Sequence, residues 1–469
     1  MSESTLLKKF SIFLLSIVIL GAAVLCSCFY KIGILLLGIF TIIIFVYLIY
    51  REKSIDRIIY CMIALYPLNN IFVLHLFIID IRVIQLLFIL LFIKFIILKA
   101  QGKTVKFDKL KINKYILFFM FSVLISTVFS ESIKISFKEF VQYVYLFVMF
   151  NLVESKINNI ENFKGICRGI IMSNIIFLVG IFISVPQIKI SVLPGMSIER
   201  EGELFSPILL AKGGERLSIF SMGYVETACF CMILIYCCIT VKEVLKDKKI
   251  ICDILILLDL FMIVLTASRA AWVILLFSFI IYRNYKKSSK LLTVLLLIVI
   301  CCVALSIPSI YDRVMNIISF KESSNKDHLV LWIIAIRIGL DNFLLGIGPG
   351  MFINSVQDYK YIIRSMGAYT QSMDTHNMFL QAFSEQGILG VISIFILIAY
   401  ILYTQNKRVK SIVKKRKIKI CLLVSVMCIS LMSMTMNGFK GELYWILVAL
   451  LISSDKFLEY KNIEKDCKI

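Results

Sequence analysis

The sequence predicts an all-α, polytopic integral membrane protein with about 12–14 transmembrane helices. Hydrophobic residues make up 60% of the 469 residues and charged residues only 17%, well below the quarter typical of soluble domains. Apolar runs of about 20 residues, the length that crosses a bilayer, follow one another along almost the whole chain. We expect these runs to be helices, because a backbone in lipid must satisfy its own hydrogen bonds and because they lack the alternation of membrane β-barrels.

Fourteen spans are expected in chain order. The third contains YPLNN (66–70), which predicts a break or re-entrant turn that would lower the count to 12 or 13. The expected spans are 10–29, 32–50, 58–80, 82–100, 115–130, 138–153, 166–185, 224–241, 250–267, 269–282, 291–310, 376–403, 420–438 and 442–457.

The net charge of +21 is concentrated in short basic tracts between the apolar runs. Lysine and arginine in such tracts are typical of cytoplasmic loops, so we expect the lipid bilayer, and no nucleic acid, as a partner. Placing the tracts inside puts both termini in the cytoplasm. The tracts are REKSIDR (51–57), KTVKFDKLKINK (103–114), KEVLKDKK (242–249), RNYKKSSK (283–290) and NKRVKSIVKKRKIK (406–419).

Two long loops on the outer side divide the chain into five segments. The larger loop contains LVLWIIAIRIGL (329–340), which is too short to span and is predicted to form an amphipathic helix at the interface. The segments are N-terminal transmembrane helices (1–185), an outer loop (186–223), central transmembrane helices (224–310), a large outer loop with the interfacial helix (311–375), and C-terminal transmembrane helices (376–469).

Four arginines on the expected outer side depart from the charge pattern. Arg216 precedes a span, Arg337 and Arg364 lie in the larger loop, and Arg269 lies in TASR at the tip of a predicted helical hairpin. An arginine at membrane depth costs at least about 2.5–3.5 kcal/mol on insertion scales, so a carboxylate or a bound anion should offset it. Arginine grips phosphate oxygens bidentately, which favours an anion site. The alternative is that each arginine extends to the lipid headgroups.

A histidine opens the span that follows the larger loop. Asp374 or Thr375 is predicted to cap a helix that starts near His376. The free N–H groups and the positive dipole end of this helix would face the same side as the arginines, which makes an anion site. His376 could act there as an acid, a base or a hydrogen-bond donor near neutral pH.

Polar residues continue along the same helix. Asn377, Gln381 and Ser384 follow the i, i+4, i+7 spacing and are predicted to form one stripe. Glu385 lies beside the stripe, and we expect it to pair with an arginine because an unpaired carboxylate at that depth is costly. The alternative is a structural stripe that holds helices together.

A glycine-rich turn, FLLGIGPGMF (343–352), precedes the histidine. It lacks the lysine of a P-loop and the spacing of a dinucleotide fingerprint. We expect Gly346 and Gly348 to let the turn approach a ligand with its backbone. The sequence contains no HExxH motif, acidic metal cluster or Ser-His-Asp arrangement, so we expect neither a metal nor a cofactor.

The segments ERLSIFSMGYVETACF, LTASRAAW, FLLGIGPGMF and THNMFLQAFSEQGILG occur in this order over roughly residues 200 to 400. Together they resemble the O-antigen ligase and O-antigen (capsular polysaccharide) polymerase family of bacterial multi-span glycosyltransferases, which move glycan from undecaprenyl diphosphate to an acceptor. The resemblance implies a GT-C-like fold in the bacterial cytoplasmic (inner) membrane. Its active face would point outward, with a wet cavity capped by the large loop.

The resemblance also implies metal-independent, inverting glycosyl transfer with catalytic roles for Arg216, Arg269 and His376. Arginines and a helix N-terminus would neutralise the diphosphate leaving group, and His376 would orient or deprotonate the acceptor hydroxyl. The residues expected to bind the diphosphate or glycan are Arg337, Arg364, Gly346, Gly348, Asn377, Gln381 and Glu385.

We favour a polymerase of O-antigen or capsular repeat units, although the sequence does not separate it from a ligase. The resemblance also places the arginine–ten residues–glycine spacing common in family polymerases on Arg337 and Gly348. The alternatives are a ligase that transfers glycan to lipid A core or protein, and a lipid-linked oligosaccharide transporter. A transporter should show repeated halves and broken spans at mid-membrane; a regulatory or structural role is the remaining class. Expected partners are an undecaprenyl-diphosphate-linked oligosaccharide, an acceptor glycan, and chain-length regulator and flippase proteins.

Overall fold

The computed structural model describes twelve ranges of the chain. The expected spans at 10–29, 32–50 and 291–310 and the predicted site residue Arg216 lie outside them. The described residues are 54–70, 72–76, 79–101, 110–180, 188–193, 196–200, 219, 222–266, 268–286, 323–365, 374–412 and 414–458.

Helices make up most of the described chain, which confirms the predicted all-α polytopic class. They are α1 (Ser54–Ala64), α2 (Val83–Ala100), α3 (Ile112–Val128), α4 (Ile133–Lys156), α5 (Ile160–Val179), α6 (Tyr224–Val244), α7 (Lys249–Leu265), α8 (Arg269–Lys286), α9 (Ser323–Asp341), α10 (Phe352–Ser355), α11 (Lys360–Ser365), α12 (Met378–Ser411), α13 (Arg416–Met432) and α14 (Glu442–Ser453). Short 3-10 turns lie at Tyr66–Leu68, Lys246–Lys248, Val356–Tyr359, Gly438–Lys440 and Ser454–Lys456.

The outside of the helices is apolar, as expected of an integral membrane protein. Within the described ranges, α2, α5, α6 and α12 are long and apolar enough to cross a membrane, and α3 is a shorter apolar helix. Large apolar side chains cover surfaces that would be unfavourable in water. Examples with half or more of the side chain exposed are Ile96, Leu117, Phe121, Leu257 and Phe395.

The third predicted span, 58–80, is wrong in its second half. Helix α1 ends at Ala64 and is followed by a 3-10 turn containing Pro67, which has no N–H with which to continue a helix. The chain then forms strand β1 (Phe72–Leu76), so His75 lies in a strand and not in the core of a spanning helix. The predicted break at YPLNN is thus confirmed.

Strand β1 belongs to a small antiparallel sheet that the sequence did not predict. The strand order is β2-β1-β4-β3, with Leu74 of β1 opposite Ile81 of β2 and Ile198 of β4. Two of the strands come from residues 186–223, the smaller predicted outer loop, which therefore pairs with the chain that precedes α2. The other strands are β2 (Ile79–Arg82), β3 (Ile188–Leu193) and β4 (Met196–Arg200).

The helix bundle is built around α6, which packs against α5, α7 and α13, while α3 packs against α12 and α4 against α14. Aromatic side chains fill the centre between these layers. The Phe119 ring meets the Tyr143 ring at 5.0 Å and the Phe439 ring at 5.2 Å, both edge to face. Such pairs add stability beyond the burial of their area. They also fix the 3-10 turn Gly438–Lys440 against α3 and α4.

Ion pairs mark one end of the bundle, where α4, α6 and α12 finish and α13 begins; we call it the basic end. The N-termini of α4, α6, α8 and α12 and the C-terminus of α13 lie at the opposite end, which we call the site end. The Tyr285 hydroxyl of α8 donates to Asn406 of α12 at 2.6 Å near the basic end. The ion pairs there are Lys417–Glu243 at 2.7 Å, Arg408–Asp455 at 2.8 Å and Lys456–Glu154 at 2.9 Å.

Residues 323–365, which we call the cap, form a hydrophobic core of their own. The predicted interfacial helix 329–340 is confirmed as a helix within the longer α9, which packs against α12. A second apolar stripe of α9, comprising Leu329, Ile333, Ile336 and Leu340, is exposed. The buried residues of the cap core are Val330, Leu331, Ile334, Ala335, Ile338, Ile347, Met351, Phe352, Val356 and Ile363.

Candidate functional site

The N-cap residue of helix α12 is Asn377. Its side-chain oxygen accepts hydrogen bonds from the backbone N–H groups of Phe379 at 3.1 Å and Leu380 at 3.2 Å. The prediction that Asp374 or Thr375 caps this helix is therefore wrong. The helix starts later than expected because His376, the residue before the N-cap residue, does not have helical backbone geometry.

The first turn of α12 has no free N–H group for an anion. Asn377 satisfies two of these N–H groups, and the Met378 N–H donates to the carbonyl oxygen of Ser433 at 2.9 Å. The Gln381 N–H donates to the Asn377 carbonyl at 2.8 Å. The expectation that free N–H groups at this terminus bind an anion is therefore wrong, because the capping side chain and α13 have taken their place. Only the helix dipole remains available for an anion.

His376 has a left-handed backbone with φ 51°, a conformation that costs about 1–2 kcal/mol for a residue with a Cβ. Its half-buried ring meets the ring of His328 on α9 edge to face at 5.2 Å. Burial lowers the pKa of His376 below its ordinary 6.5, and the nearby Asp374 carboxylate offsets part of that shift. The imidazole is therefore neutral near pH 7, the form that can accept a proton.

Thr375 fixes the chain immediately before the histidine. It is fully buried, and its carbonyl oxygen accepts a hydrogen bond from the indole N–H of Trp332 at 3.0 Å. Its backbone N–H donates to Gln381 Oε1 at 3.2 Å, and its hydroxyl lies 2.9 Å from the same oxygen. The Asn377 N–H donates to the Thr375 hydroxyl at 3.2 Å. His376 is therefore held on both sides.

Glu385 lies one turn beyond Gln381 and is 1% exposed. The Gln381 amide donates to Glu385 Oε1. The cation that pairs with Glu385 in the described part of the chain is Lys440, whose Nζ lies 3.6 Å from Glu385 Oε2 and 3.0 Å from Glu139 Oε2. The predicted arginine partner is therefore wrong. A lysine reaches this position because the turn between α13 and α14 folds back against α12.

Lys440 is charged despite its partly enclosed position. Burial opposes the charge, but Glu385, Glu139 and Asp374 outweigh it and hold the pKa of Lys440 well above its ordinary value. One lysine thus neutralises part of a cluster of three carboxylates. Replacing Lys440 would leave the buried Glu385 carboxylate without its cation, which is strongly destabilising.

The glycine-rich turn docks into a kink of α12. The Gly348 N–H donates to the Glu385 carbonyl at 2.9 Å, and the Ile347 N–H donates to the Ser384 carbonyl at 3.0 Å. Gly348 has φ +110°, and a Cβ there would lie 2.1 Å from Ser130 Oγ. Gly346 has φ +67° and donates its own N–H within the cap.

The kink at Gly387 makes this docking possible. Gly387 has φ 64° and ψ −161° inside α12, a conformation that favours glycine. It interrupts the helical hydrogen bonds, so the Ile388 N–H donates to Phe343 of the cap at 2.8 Å. The freed carbonyl of Glu385 accepts from Gly348 and, at 2.6 Å, from the Ser126 hydroxyl. The turn that contains Gly346 and Gly348, the two predicted site glycines, therefore makes a close contact with α12.

The predicted hairpin with Arg269 at its tip is confirmed. Helices α7 and α8 are joined by residues 266–268, and Arg269 is the first residue of α8. Thr266 and Ser268 are buried, and the Trp272 indole donates to the Ile263 carbonyl at 3.3 Å, which closes the tip. The half-buried Arg269 lies at the site end because α8 and α12 finish together at the basic end.

The remaining predicted site residues, Arg337 and Arg364, lie on helices of the cap. Arg337 is on the exposed side of α9, where its Nε lies 3.2 Å from Asp341 in an i, i+4 pair. Arg364 lies in α11. The structure therefore brings His376, Asn377, Gln381, Glu385 and the glycine turn together. Arg269 is at the same end of the bundle.

Sequence reasoning missed Glu139, Trp332 and Lys440. Lys440 could have been found, because it lies in NGFKGELYW between two expected spans and is a cation on the expected outer side, as the arginines are. Trp332 and Glu139 carried no such signal. No three His, Cys, Asp or Glu side chains in the described ranges come together as metal ligands; metal-independent chemistry stays a prediction.

The family model described as O-antigen ligase matches residues 254–395. The matched segment includes most of the α7–α8 hairpin, the cap, the His376 turn and the first half of α12. No curated protein matches the chain. The match confirms the family resemblance and includes Arg269, His376 and Glu385.

Proposed function

We propose that this protein polymerises lipid-linked glycan, with the match of the O-antigen ligase family model to residues 254–395 as support. The donor would be an undecaprenyl-diphosphate-linked repeat unit, and the acceptor another glycan. The reaction would take place at the outer face of the bacterial cytoplasmic membrane. The polymer would be an O-antigen or a capsular polysaccharide.

The observation that carries this proposal is the position of the matched segment. It includes both Arg269 and His376. Arg269 is the first residue of α8 and His376 directly precedes the N-cap residue of α12, at the site end of the bundle. A fixed cation and a neutral imidazole at one end of a membrane bundle suit a reaction with an anionic leaving group. A site at one face also argues against a transporter, which should place its site near mid-membrane.

The proposed chemistry is an in-line substitution at the anomeric carbon. His376 takes the proton of the acceptor hydroxyl, and the hydroxyl oxygen forms the new glycosidic bond with inversion. The bond between the anomeric carbon and the diphosphate oxygen breaks, and undecaprenyl diphosphate leaves with the electron pair. Arg269 and Arg216 stabilise the charge that develops on this leaving group, so no metal ion is required.

The roles of the other predicted residues follow from their surroundings. We propose that Arg337 and Arg364 guide the diphosphate or glycan beneath the cap, where Arg337 would exchange its exposed Asp341 partner for substrate. Gly346 and Gly348 shape the cap turn that closes the site. Three of the residues expected to bind substrate have a different role in this proposal. They support the start of α12 next to His376 and need not contact substrate; they are Asn377, Gln381 and Glu385.

Topology belongs to the same proposal. The basic end would face the cytoplasm, in keeping with the positive-inside rule, and both termini would lie there. The five-segment division at residues 185, 223, 310 and 375 follows from that orientation. A chain-length regulator and a flippase would work with the protein, since a polymerase needs substrate delivered to its outer face.

A ligase is the second candidate. The matched family is described as O-antigen ligase, whereas the spacing of Arg337 and Gly348 favours a polymerase. The two activities differ in the acceptor, which is another lipid-linked repeat for a polymerase and lipid A core or protein for a ligase.

Deleting the gene and resolving the surface glycan by gel electrophoresis tests the proposal. Loss of polymer with single-repeat bands retained supports the polymerase, and free polymer without an anchor supports the ligase. Complementation with the wild-type gene should restore the ladder, and His376→Ala at equal membrane abundance should not. An unchanged glycan profile in the deletion strain would contradict both activities.

A further inference from the structure

We propose that Glu385 is a positioning residue, held by Lys440, that fixes His376 through Gln381 and Thr375. The inference rests on the proposed function, because it assumes that the orientation of His376 matters for catalysis. It assigns a role to a buried ion pair that neither the family match nor the proposed chemistry requires. Lys440, the anchor of this arrangement, lies outside the matched segment 254–395.

The contacts form a continuous path from the ion pair to the histidine. Lys440 Nζ lies 3.6 Å from Glu385 Oε2, and Glu385 Oε1 accepts from the Gln381 amide. Gln381 Oε1 then accepts a hydrogen bond from the Thr375 N–H at 3.2 Å and lies 2.9 Å from the Thr375 hydroxyl oxygen. The amide of Gln381 can take only one orientation here, since its NH₂ must face the carboxylate and its oxygen must face Thr375.

The path acts on a backbone that needs support. His376 has a left-handed φ of 51°, so the neighbouring residues must hold it against relaxation. Thr375 is held by Gln381, and Asp374 accepts a hydrogen bond from Asn437 at 2.8 Å. Asn437 and Lys440 belong to the same connection between α13 and α14. That connection therefore grips the histidine segment at two points.

Glu385 also connects the cap to the same path. Its carbonyl oxygen accepts the Gly348 N–H at 2.9 Å while its side chain faces Gln381 and Lys440. A single buried residue thus joins the glycine turn of the cap to the segment that carries His376. A shift of the Glu385 carboxylate would displace His376, because the groups between them are buried and closely packed.

The test uses the full-length protein in nanodiscs with Glu385→Gln, which keeps the size of the side chain but removes its charge. The matched control is Glu154→Gln, since Glu154 is 1% exposed and pairs with Lys456 at 2.9 Å at the basic end. The chain has only three histidines, so isotope-labelled imidazole signals can be assigned with single His→Gln variants. We expect the His376 signal to shift or split in Glu385→Gln and to stay unchanged in Glu154→Gln.

Kinetics give the second readout, with lipid-linked repeat units isolated from a deletion strain as the substrate. We expect kcat to fall at least about tenfold in Glu385→Gln, as for small misplacements of a reacting group, with KM within about twofold. Gln381→Leu breaks the same path without removing a charge and serves if Glu385→Gln does not fold. Because both residues lie on one path, the double variant should lose little more than either single variant.

The outcomes separate the two proposals. An active wild type whose His376 signal and kcat do not respond to either variant overturns the positioning role and leaves the proposed function intact. Multiplicative losses in the double variant also overturn it. A wild type without transfer activity defeats the proposed function, while a His376 signal that still responds to Glu385→Gln would retain the structural link alone.

Discussion

His328 and His376 meet edge to face, with ring centroids 5.2 Å apart and ring planes at 79°. One ring comes from α9 of the cap and the other from the turn that precedes α12. The contact joins the cap to the proposed proton acceptor.

The rate of glycan transfer should depend on pH through His376. Burial lowers the pKa of this residue below 6.5, with Asp374 opposing, so the neutral base is present above that lowered pKa and is lost as pH falls through it. We expect a plateau at neutral pH that extends below 6.5, then a loss of about tenfold per pH unit. Initial rates in proteoliposomes from pH 4.5 to 8 measure this; a midpoint above 6.5 would contradict a buried neutral base.

Replacing Arg269 should separate charge from geometry. Arg269→Lys keeps the cation but loses the planar fork that grips two phosphate oxygens, so we expect kcat/KM for the lipid-linked donor to fall about tenfold, or 1.4 kcal/mol. Arg269→Ala should lose about a hundredfold or more. Arg283→Ala, near the other end of the same helix, is the control and should stay within about twofold. Equal rates for Arg269→Ala and wild type would remove Arg269 from the site.

Gly348→Ala should destabilise the docking of the cap. Gly348 has φ +110°, and the added Cβ would lie 2.1 Å from Ser130 Oγ, so we expect a loss of more than about 1 kcal/mol. Gly165→Ala is the matched control, because α5 leaves open space at that position and alanine favours a helix by up to about 1 kcal/mol. Thermal unfolding in detergent compares the two variants. Equal stability of both would show that the turn tolerates a side chain.

Asn377→Ala should lower the stability of the start of α12 by about 1 kcal/mol, whereas Asn377→Asp should retain the N-cap hydrogen bonds. The reason is that Asn377 satisfies the N–H groups of Phe379 and Leu380. Amide hydrogen exchange at those two positions measures the effect directly, since it reports local opening. Faster exchange in the alanine variant alone is the expected result. Unchanged exchange in both variants would mean that the Met378–Ser433 bond suffices to hold the helix start.

Local patterns predicted the parts of the fold that depend on neighbouring residues. The apolar run of residues 250–282, flanked by basic tracts, is too long for one span, and it forms the α7–α8 hairpin with Arg269 at the predicted tip. The helix that carries the polar residues Gln381 and Ser384 was also predicted, because their spacing depends on one local stretch of α12.

Contacts between distant segments could not be predicted in the same way. The partner of Glu385 comes from the turn between α13 and α14, and which cation reaches it depends on how those helices pack. Strand β1 pairs with β4, far along the chain, so its apolar residues had the pattern of a span. The start of α12 was misplaced because the left-handed backbone of His376 leaves no mark in the sequence.

The kink at Gly387 divides α12 into a short N-terminal part and a longer C-terminal part. Residues 388–405 of this helix, which precede the basic tract 406–419, would extend for roughly 27 Å at 1.5 Å per residue, close to the hydrocarbon core thickness of about 30 Å. The turns that bear Gln381 and Glu385 would therefore lie near the edge of the hydrocarbon core. A thicker or thinner bilayer would be accommodated by tilting of the longer part. His376 and the side chains that support it, which Lys440 anchors, would then keep their positions relative to one another in bilayers of different thickness.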